Sequence, residues 1–174
     1  MTAAIAAARR GALVTLFERN ERVGKKLLVT GNGKCNLGNR ALSEQAYYGS
    51  SSQWIKDSLE RFGTEDTIRF FQGLGLLLKE RNGYLYPACE QAAVVLDVLR
   101  TELRTLGVCV RTNSRVRRVE KTPDGKIALH IGEEIDYFDS VVLACGSKAA
   151  PRTGSDGTGY ELAAGLGHKV TPVV

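Results

Sequence analysis

The sequence predicts an α/β fold built on a parallel sheet, and three observations carry that expectation. An alanine-rich helix stops at Gly11 and runs directly into the short apolar strand Leu13, Val14, Leu16 and Phe17, which is half of a βαβ unit. The stretch SVVLACG, Ser140 to Gly146, is an almost unbroken apolar run of the kind buried on both faces of a parallel sheet. Between these two, VRRVEK, KIALHI and EIDYF alternate apolar and polar residues and are separated by PDG and GE turns, the pattern of an antiparallel meander.

In chain order, Ala3, Ala4, Ala6, Ala7 and Ala8 give the first helix small side chains that allow close approach to a sheet. The strand that follows places Glu18 at its carboxyl end. The segment GSSS reads as a short linker into two helices between Gln53 and Gly75. Trp54, Ile55, Leu59 and Phe62 mark the apolar stripe of the first helix, and Thr64 is the expected cap of the second, with Glu65 and Asp66 in its first turn. LLLKER and YLYP flank Asn82-Gly83, the strongest hairpin signal in the chain. A long amphipathic helix then presents Val95, Leu96, Leu99, Leu103 and Leu106 on one face and ends before Gly107; VCVRT follows as a strand.

The length of 174 residues suits one well-buried domain, or a core with a small insertion. Charged residues at 25% and hydrophobic residues at 43% exclude wholesale disorder. A net charge of +5 permits an anionic ligand without requiring one. Cys35, Cys89, Cys109 and Cys145 form no CxxC pair and have no signal-peptide pattern ahead of them, which argues for reduced thiols, a cytoplasmic location and no structural metal site. No apolar run approaches the length that crosses a bilayer.

Two stretches carry chemistry. In TGNGKCN, Thr30 to Asn36, Gly31 and Gly33 permit positive φ, so successive main-chain N–H groups can converge on phosphate oxygens. Asn32 and Asn36 add amide donors, and Lys25, Lys26 and Lys34 add positive charge. The alternative is an ordinary glycine-asparagine turn. Cys35 reads either as a reactive thiol or as a small buried side chain beside a ligand. Glu18, at the end of a strand in a dinucleotide-binding unit, is placed to accept hydrogen bonds from ribose hydroxyls. The second stretch, Leu143 to His168, brings the backbone of Cys145 and Gly146 to the sheet's carboxyl edge. Gly154-Ser155-Asp156-Gly157-Thr158-Gly159 then leads into a helix from Tyr160 to Leu166. Its glycine spacing is not that of GxGxxG. His168 is expected to cap that helix, and His130 to be structural.

ARRGALVTLFERNERVGKKLLVTGNGKCN, NGYLYPACEQAAVVLDVL and LACGSKAAPRTGSDGTGYELAAGLGH, in that order, resemble the HI0933-like flavoproteins, often labelled BaiN-like or NAD(P)/FAD-dependent oxidoreductases. The resemblance covers essentially the whole chain. It implies a Rossmann-like FAD-binding domain of the glutathione-reductase type, interrupted by the meander, with the first strand and GxGxxG missing ahead of Met1 and a substrate domain absent after VTPVV. By resemblance, Glu18 would hold the adenosine ribose of FAD and Arg19 would lie beside the adenine. Lys26, Thr30, Gly31, Asn32, Gly33, Lys34, Cys35 and Asn36 would line the pyrophosphate, ribitol and flavin. Val116 would meet the adenine through its main chain, and Cys145 and Gly146 stand where relatives usually carry Thr-Gly. The whole of 1–174 is then an incomplete FAD-binding domain: 1–40 and 139–174 as core pieces, 41–107 as a helical and hairpin excursion, and 108–138 as a strand plus meander.

The implied chemistry is an oxidoreductase with FAD as cofactor and NAD(P)H as reductant, acting on an unsaturated or carbonyl-containing small molecule. No catalytic acid, base or nucleophile is nominated. With the central strand missing, the chain alone is expected to bind FAD poorly or not at all. Two other readings compete. One is an inactive remnant; the other is a nucleic-acid module using Arg111, Arg115, Arg117, Arg118 and Lys121, against which strand alternation and the lack of an RNP-like aromatic motif both count. No nucleic-acid or membrane partner is expected.

Overall fold

The computed structural model describes residues 1–48, 52–148 and 151–171. Along the chain run α1 (Thr2–Ala8), β1 (Thr15–Phe17), β2 (Gly38–Asn39), α2 (Ser52–Arg61), α3 (Thr64–Gly73), β3 (Leu78–Arg81), β4 (Tyr84–Pro87), α4 (Ala92–Thr105), β5 (Cys109–Arg111), β6 (Val116–Lys121), β7 (Ile127–Ile131), β8 (Glu134–Phe138) and α5 (Thr158–Gly165). They divide into two compact units, one of Met1–Lys26 with Leu106–Val174, the other of Leu27–Thr105. The loop 27–40 therefore groups with the helical and hairpin excursion, whereas the sequence placed the excursion's start at 41. The reason is local pairing: β2 joins β4, and residues 27–33 pack against α4.

In the first unit α1 buries Ile5 completely, and Gly11, at φ +86, follows it. The amide of Ala12 bonds back to the Ala7 carbonyl across this turn. β1 is shorter than expected, since Leu13 is fully exposed and pairing begins at Thr15. It pairs in parallel with β5, Thr15 opposite Cys109, Leu16 opposite Val110 and Phe17 opposite Arg111. Among the described residues no strand pairs with the other edge of β1.

β6, β7 and β8 form the expected antiparallel meander. Val116 and Val119 lie three residues apart, which strict alternation would put on opposite faces. A register shift between Val116 and Arg118 absorbs one residue, and both valines join the same apolar cluster. Val119, Leu129 and Leu162 of α5 form its buried centre, with Phe17, Phe138, Val141 and Leu143 packed around them. Phe17 and Phe138 meet edge to face at 5.8 Å.

The stretch Ser140 to Gly146 is not the doubly buried strand predicted. It forms no strand, and its burial alternates: Val141 and Leu143 pack on the cluster while Val142 is 72% exposed. Only one side has an apolar layer to bury against, and no described strand offers it a ladder of hydrogen bonds.

In the second unit β2, β4 and β3 form an antiparallel sheet in that order. Asn82 at φ +52 and Gly83 at φ +82 make the two-residue hairpin turn as predicted, because both central positions of that turn require positive φ. α4 buries Ala92, Val95, Leu96, Leu99 and Leu103, the expected face, but ends at Thr105, leaving Leu106 beyond it. α3 is capped differently from the expectation. Gly63 is its N-cap, its amide donating to Asp66 Oδ2 at 2.9 Å, while the Thr64 hydroxyl donates to the Asn39 carbonyl. The α2 stripe is only half realised: Ile55 and Leu59 are half-buried, but Trp54 and Phe62 are exposed. Most of the expected GSSS linker lies outside the described residues. No helix among them is long and apolar enough to cross a membrane.

Candidate nucleotide site

Parallel pairing carries β1 straight into the first candidate residue. The Glu18 amide donates to the Arg111 carbonyl at 2.9 Å, extending the ladder, and the Glu18 carbonyl accepts from Ser114 at 2.9 Å. The side chain is held as well: Glu18 Oε1 accepts from the Asn20 amide at 2.8 Å and from Asn20 Nδ2 at 2.7 Å. Among the described residues both hydrogen bonds to this carboxylate fall on Oε1, so Oε2 is available as an acceptor at the strand's carboxyl end. Asn20 itself is tied to the loop after β5, its carbonyl accepting from the Asn113 amide at 2.9 Å.

Arg19 turns toward the loop ahead of α5, where its guanidinium pairs with Asp156. Both side chains are 27% exposed. Asp156 Oδ1 also accepts from the Thr158 hydroxyl at 2.6 Å and the Thr158 amide at 3.2 Å. The Thr158 hydroxyl foremost, with Arg19 after it, holds the carboxyl well below the usual carboxylate range. α5 starts at Thr158, with Gly157 as its N-cap, rather than at Tyr160 as predicted. Arg115 approaches the same carboxylate at 3.8 Å.

Glycines make this approach possible. A Cβ on Gly154, at φ +107, would lie 2.8 Å from Asn20 Nδ2, and one on Gly159 would lie 3.1 Å from the Cys145 Cβ. Burial pushes the Cys145 thiol above its ordinary value, with the charges of Asp156 and Glu18 adding to this and that of Arg19 opposing it. Within the first unit the 154–159 loop thus lies against Arg19 and Asn20 and also against Cys145 and Gly146. Val116 contributes its side chain to the apolar cluster and its main chain to the bulged start of β6, opposite Ile131. Lys26 is half-buried at the end of the unit's N-terminal segment. Asn20 and Asp156 were not singled out as ligands or anchors by sequence; the Asp-Gly-Thr spacing ahead of the helix was the available signal.

The second unit holds Thr30 to Asn36. Gly31 (φ 55, ψ 35) and Asn32 (φ 53, ψ 45) are consecutive left-handed residues, followed by Gly33 at φ +80 and Cys35 at φ +58. Such a run is uncommon outside glycine and asparagine. The Lys34 amide donates to the Gly31 carbonyl and the Cys35 amide to the Thr30 carbonyl, both at 3.1 Å, while the Thr30 hydroxyl donates to the Leu27 carbonyl at 2.7 Å. Residues 31–33 are exposed, and Asn36 Oδ1 accepts from the Gly38 amide at 3.1 Å. Cys35 is 4% exposed. Burial pushes its thiol above the ordinary value, against the opposing effect of the Thr30 hydroxyl, which marks a packing thiol rather than a reactive one.

The two histidines are engaged structurally. His130 Nε2 lies 2.7 Å from Glu120 Oε1, and the His168 amide closes the end of α5 on the Ala163 carbonyl. Of the basic cluster, Arg111 pairs with Glu134 and Asp136, and Arg118 with Glu120. Among the described residues no three metal-ligating side chains gather.

A family model described as "HI0933-like protein Rossmann domain" matches residues 1–173. The chain is 44% identical over its full length to a 3-dehydro-bile acid delta(4,6)-reductase of Clostridium scindens, covering 43% of that protein. It is 29% identical over 95% of its length to a ribosomal RNA dihydrouridine synthase of Escherichia coli, covering 41%, and 25% identical to the protein of that name from Haemophilus influenzae, covering 42%. The chain therefore spans less than half the length of the curated relatives it matches. A crystal structure of Thermovibrio ammonificans THI4 superposes with a TM-score of 0.50 at 13% identity, covering 83% of this chain and 51% of that one. That likeness bears on the fold alone.

Proposed function

The chain belongs to the HI0933-like Rossmann-domain family, and from that premise we propose that it is the FAD-binding part of an oxidoreductase that saturates a carbon–carbon double bond conjugated to a carbonyl. The observation that carries the cofactor reading is the Glu18 carboxylate, fixed at the carboxyl end of a parallel strand with one oxygen held by Asn20 and the other making no hydrogen bond among the described residues.

The residues present fit a flavin nucleotide. Glu18 supplies an anionic acceptor suited to a ribose diol. Arg19, braced by Asp156, keeps a planar cation beside it. Main-chain donors at Cys145 and Gly146, the main chain of Val116, and Lys26 are the remaining groups of this unit assigned to the cofactor. A bound FAD would supply two-electron hydride chemistry, with NAD(P)H as the reductant and a proton from solvent completing the saturation of the double bond. The chain's own part is to bind and orient: Glu18 through hydrogen bonds and Arg19 through its charge.

The relatives' names support the reaction class. A 3-dehydro-bile acid with Δ(4,6) unsaturation has double bonds conjugated with its 3-oxo group, and forming dihydrouridine saturates the uracil double bond conjugated with a ring carbonyl. The higher identity, 44%, favours a small-molecule enone over an RNA base.

The test is a chimera in which this chain replaces its aligned segment in the C. scindens reductase. The expected product is yellow, and Glu18→Ala weakens FAD binding by about tenfold or more. A folded chimera that stays colourless and ignores added FAD overturns the proposal.

A further inference from the structure

A second group of residues, in the unit Leu27–Thr105, lies outside the Glu18 site. The register of the hairpin sets it up. Lys79 faces Tyr86 across the strands and Arg81 faces Tyr84, so alternation puts two cations and two phenols on one face of the β3–β4 hairpin. Leu85 and Pro87 turn to the other side, where they are buried. Glu90 stands over the cationic face and bridges two ammonium groups, Lys34 at 2.8 Å and Lys79 at 2.6 Å. It does so from a left-handed backbone, φ +53, which a glutamate adopts only where its surroundings over-determine it.

Lys34, Arg81, Asn82, Tyr84, Tyr86 and Glu90 line a pocket of about 160 Å³. Its chemistry is donor-rich. Two cations, Lys34 and Arg81, line it with one carboxylate, and among the described residues the Arg81 guanidinium, the Asn82 amide and the two phenol hydroxyls make no hydrogen bond or ion pair. A pocket that encloses a whole drug-sized ligand runs to roughly 300–1,000 Å³, so this one admits a single charged group with one ring behind it.

We infer that this pocket binds a planar organic anion, a phosphate or carboxylate carried on an aromatic ring, with Arg81 and Lys34 taking the charge and Tyr84 and Tyr86 flanking the ring. Glu90 is the internal counter-ion that keeps Lys34 and Lys79 in place, and the Arg81 fork is the one suited to bidentate contact with a phosphate or carboxylate. The inference shares Lys34 with the residues that the resemblance assigns to the cofactor, but its other residues lie on the hairpin and at Glu90, and its test contains no flavin.

The experiment titrates phenyl phosphate into the 174-residue chain at low ionic strength, followed by amide NMR and calorimetry. Saturable shifts confined to residues 34, 81–86 and 90 are expected, with inorganic phosphate binding more weakly and phenol giving no saturable shift. Arg81→Ala, an exposed position, should weaken phenyl phosphate about tenfold or more. Tyr84→Ala should abolish its advantage over inorganic phosphate. No saturable shift by about 10 mM, or an unchanged affinity in a folded Arg81→Ala chain, overturns the inference.

Discussion

Gly31→Ala probes the left-handed turn directly, because two separable costs meet there. An alanine in the left-handed region costs about 1–2 kcal/mol relative to glycine. Its Cβ would also lie 2.9 Å from the main-chain nitrogen of Asn36. That atom is backbone, and its own side chain accepts the Gly38 amide that leads into β2, so it moves only by disturbing the sheet. Overpacking of this kind adds about 1–3 kcal/mol, giving a total of about 2–5 kcal/mol. Gly33→Ala is the internal control. Gly33 is also left-handed, at φ +80, but a Cβ there meets nothing closer than the Leu28 carbonyl at 4.0 Å, so only the conformational cost of about 1–2 kcal/mol applies. Urea unfolding followed by the single tryptophan, Trp54 of the same unit, reports both variants. With a slope of about 1–3 kcal/mol per molar, the Gly31 variant should melt roughly 1 M lower than the Gly33 variant. Coincident midpoints would refute the close approach of Gly31 to Asn36.

Glu90 is held at a pKa of about 2 by its hydrogen bonds to Lys34 and then Lys79. Because the folded value lies below the ordinary 4.5, its stabilising contribution is complete above that value and fades as pH falls toward 2. A carboxyl NMR titration should place its midpoint well below the ordinary value, and a midpoint near 4.5 would contradict the pairing. Asp156→Ala removes both the acceptor for Thr158 and the Arg19 partner, and should cost about 1 kcal/mol or more in thermal unfolding. Asp156→Asn keeps an acceptor for Thr158 and should cost less; equal losses would show that the Thr158 hydrogen bonds contribute nothing. Cys35, buried with a raised pKa, should resist iodoacetamide at neutral pH while exposed Cys89 and Cys109 are alkylated, as read by peptide mass spectrometry. Labelling of Cys35 at a rate equal to theirs would contradict its burial.

The sequence by itself determined what neighbouring residues decide. Asn82-Gly83 specifies its turn because both residues tolerate positive φ, and Val95, Leu96, Leu99 and Leu103 share a helix face whatever they pack against. The left-handed conformations of Gly31 and Gly33 were legible for the same reason, whereas only the fold decided between a reactive and a buried Cys35. The position of Glu18 at the carboxyl end of β1 was legible from the apolar strand before it, but not the Asn20 clamp that occupies one of its oxygens.

Only the tertiary structure decided which of those elements found partners. Arg19 meets Asp156 across 137 residues, and Glu90 meets Lys34 and Lys79; no periodicity announces such pairs. The slip that brings Val116 and Val119 to one face appears only when β6 lies against β7. Ser140 to Gly146 shows the converse: its composition suits a doubly buried strand, yet composition supplies no hydrogen-bonding neighbour. Turns and helix faces follow from backbone and side-chain preferences a few residues long, whereas sheet pairing and ion-pair choice depend on surfaces that the folded chain alone brings together.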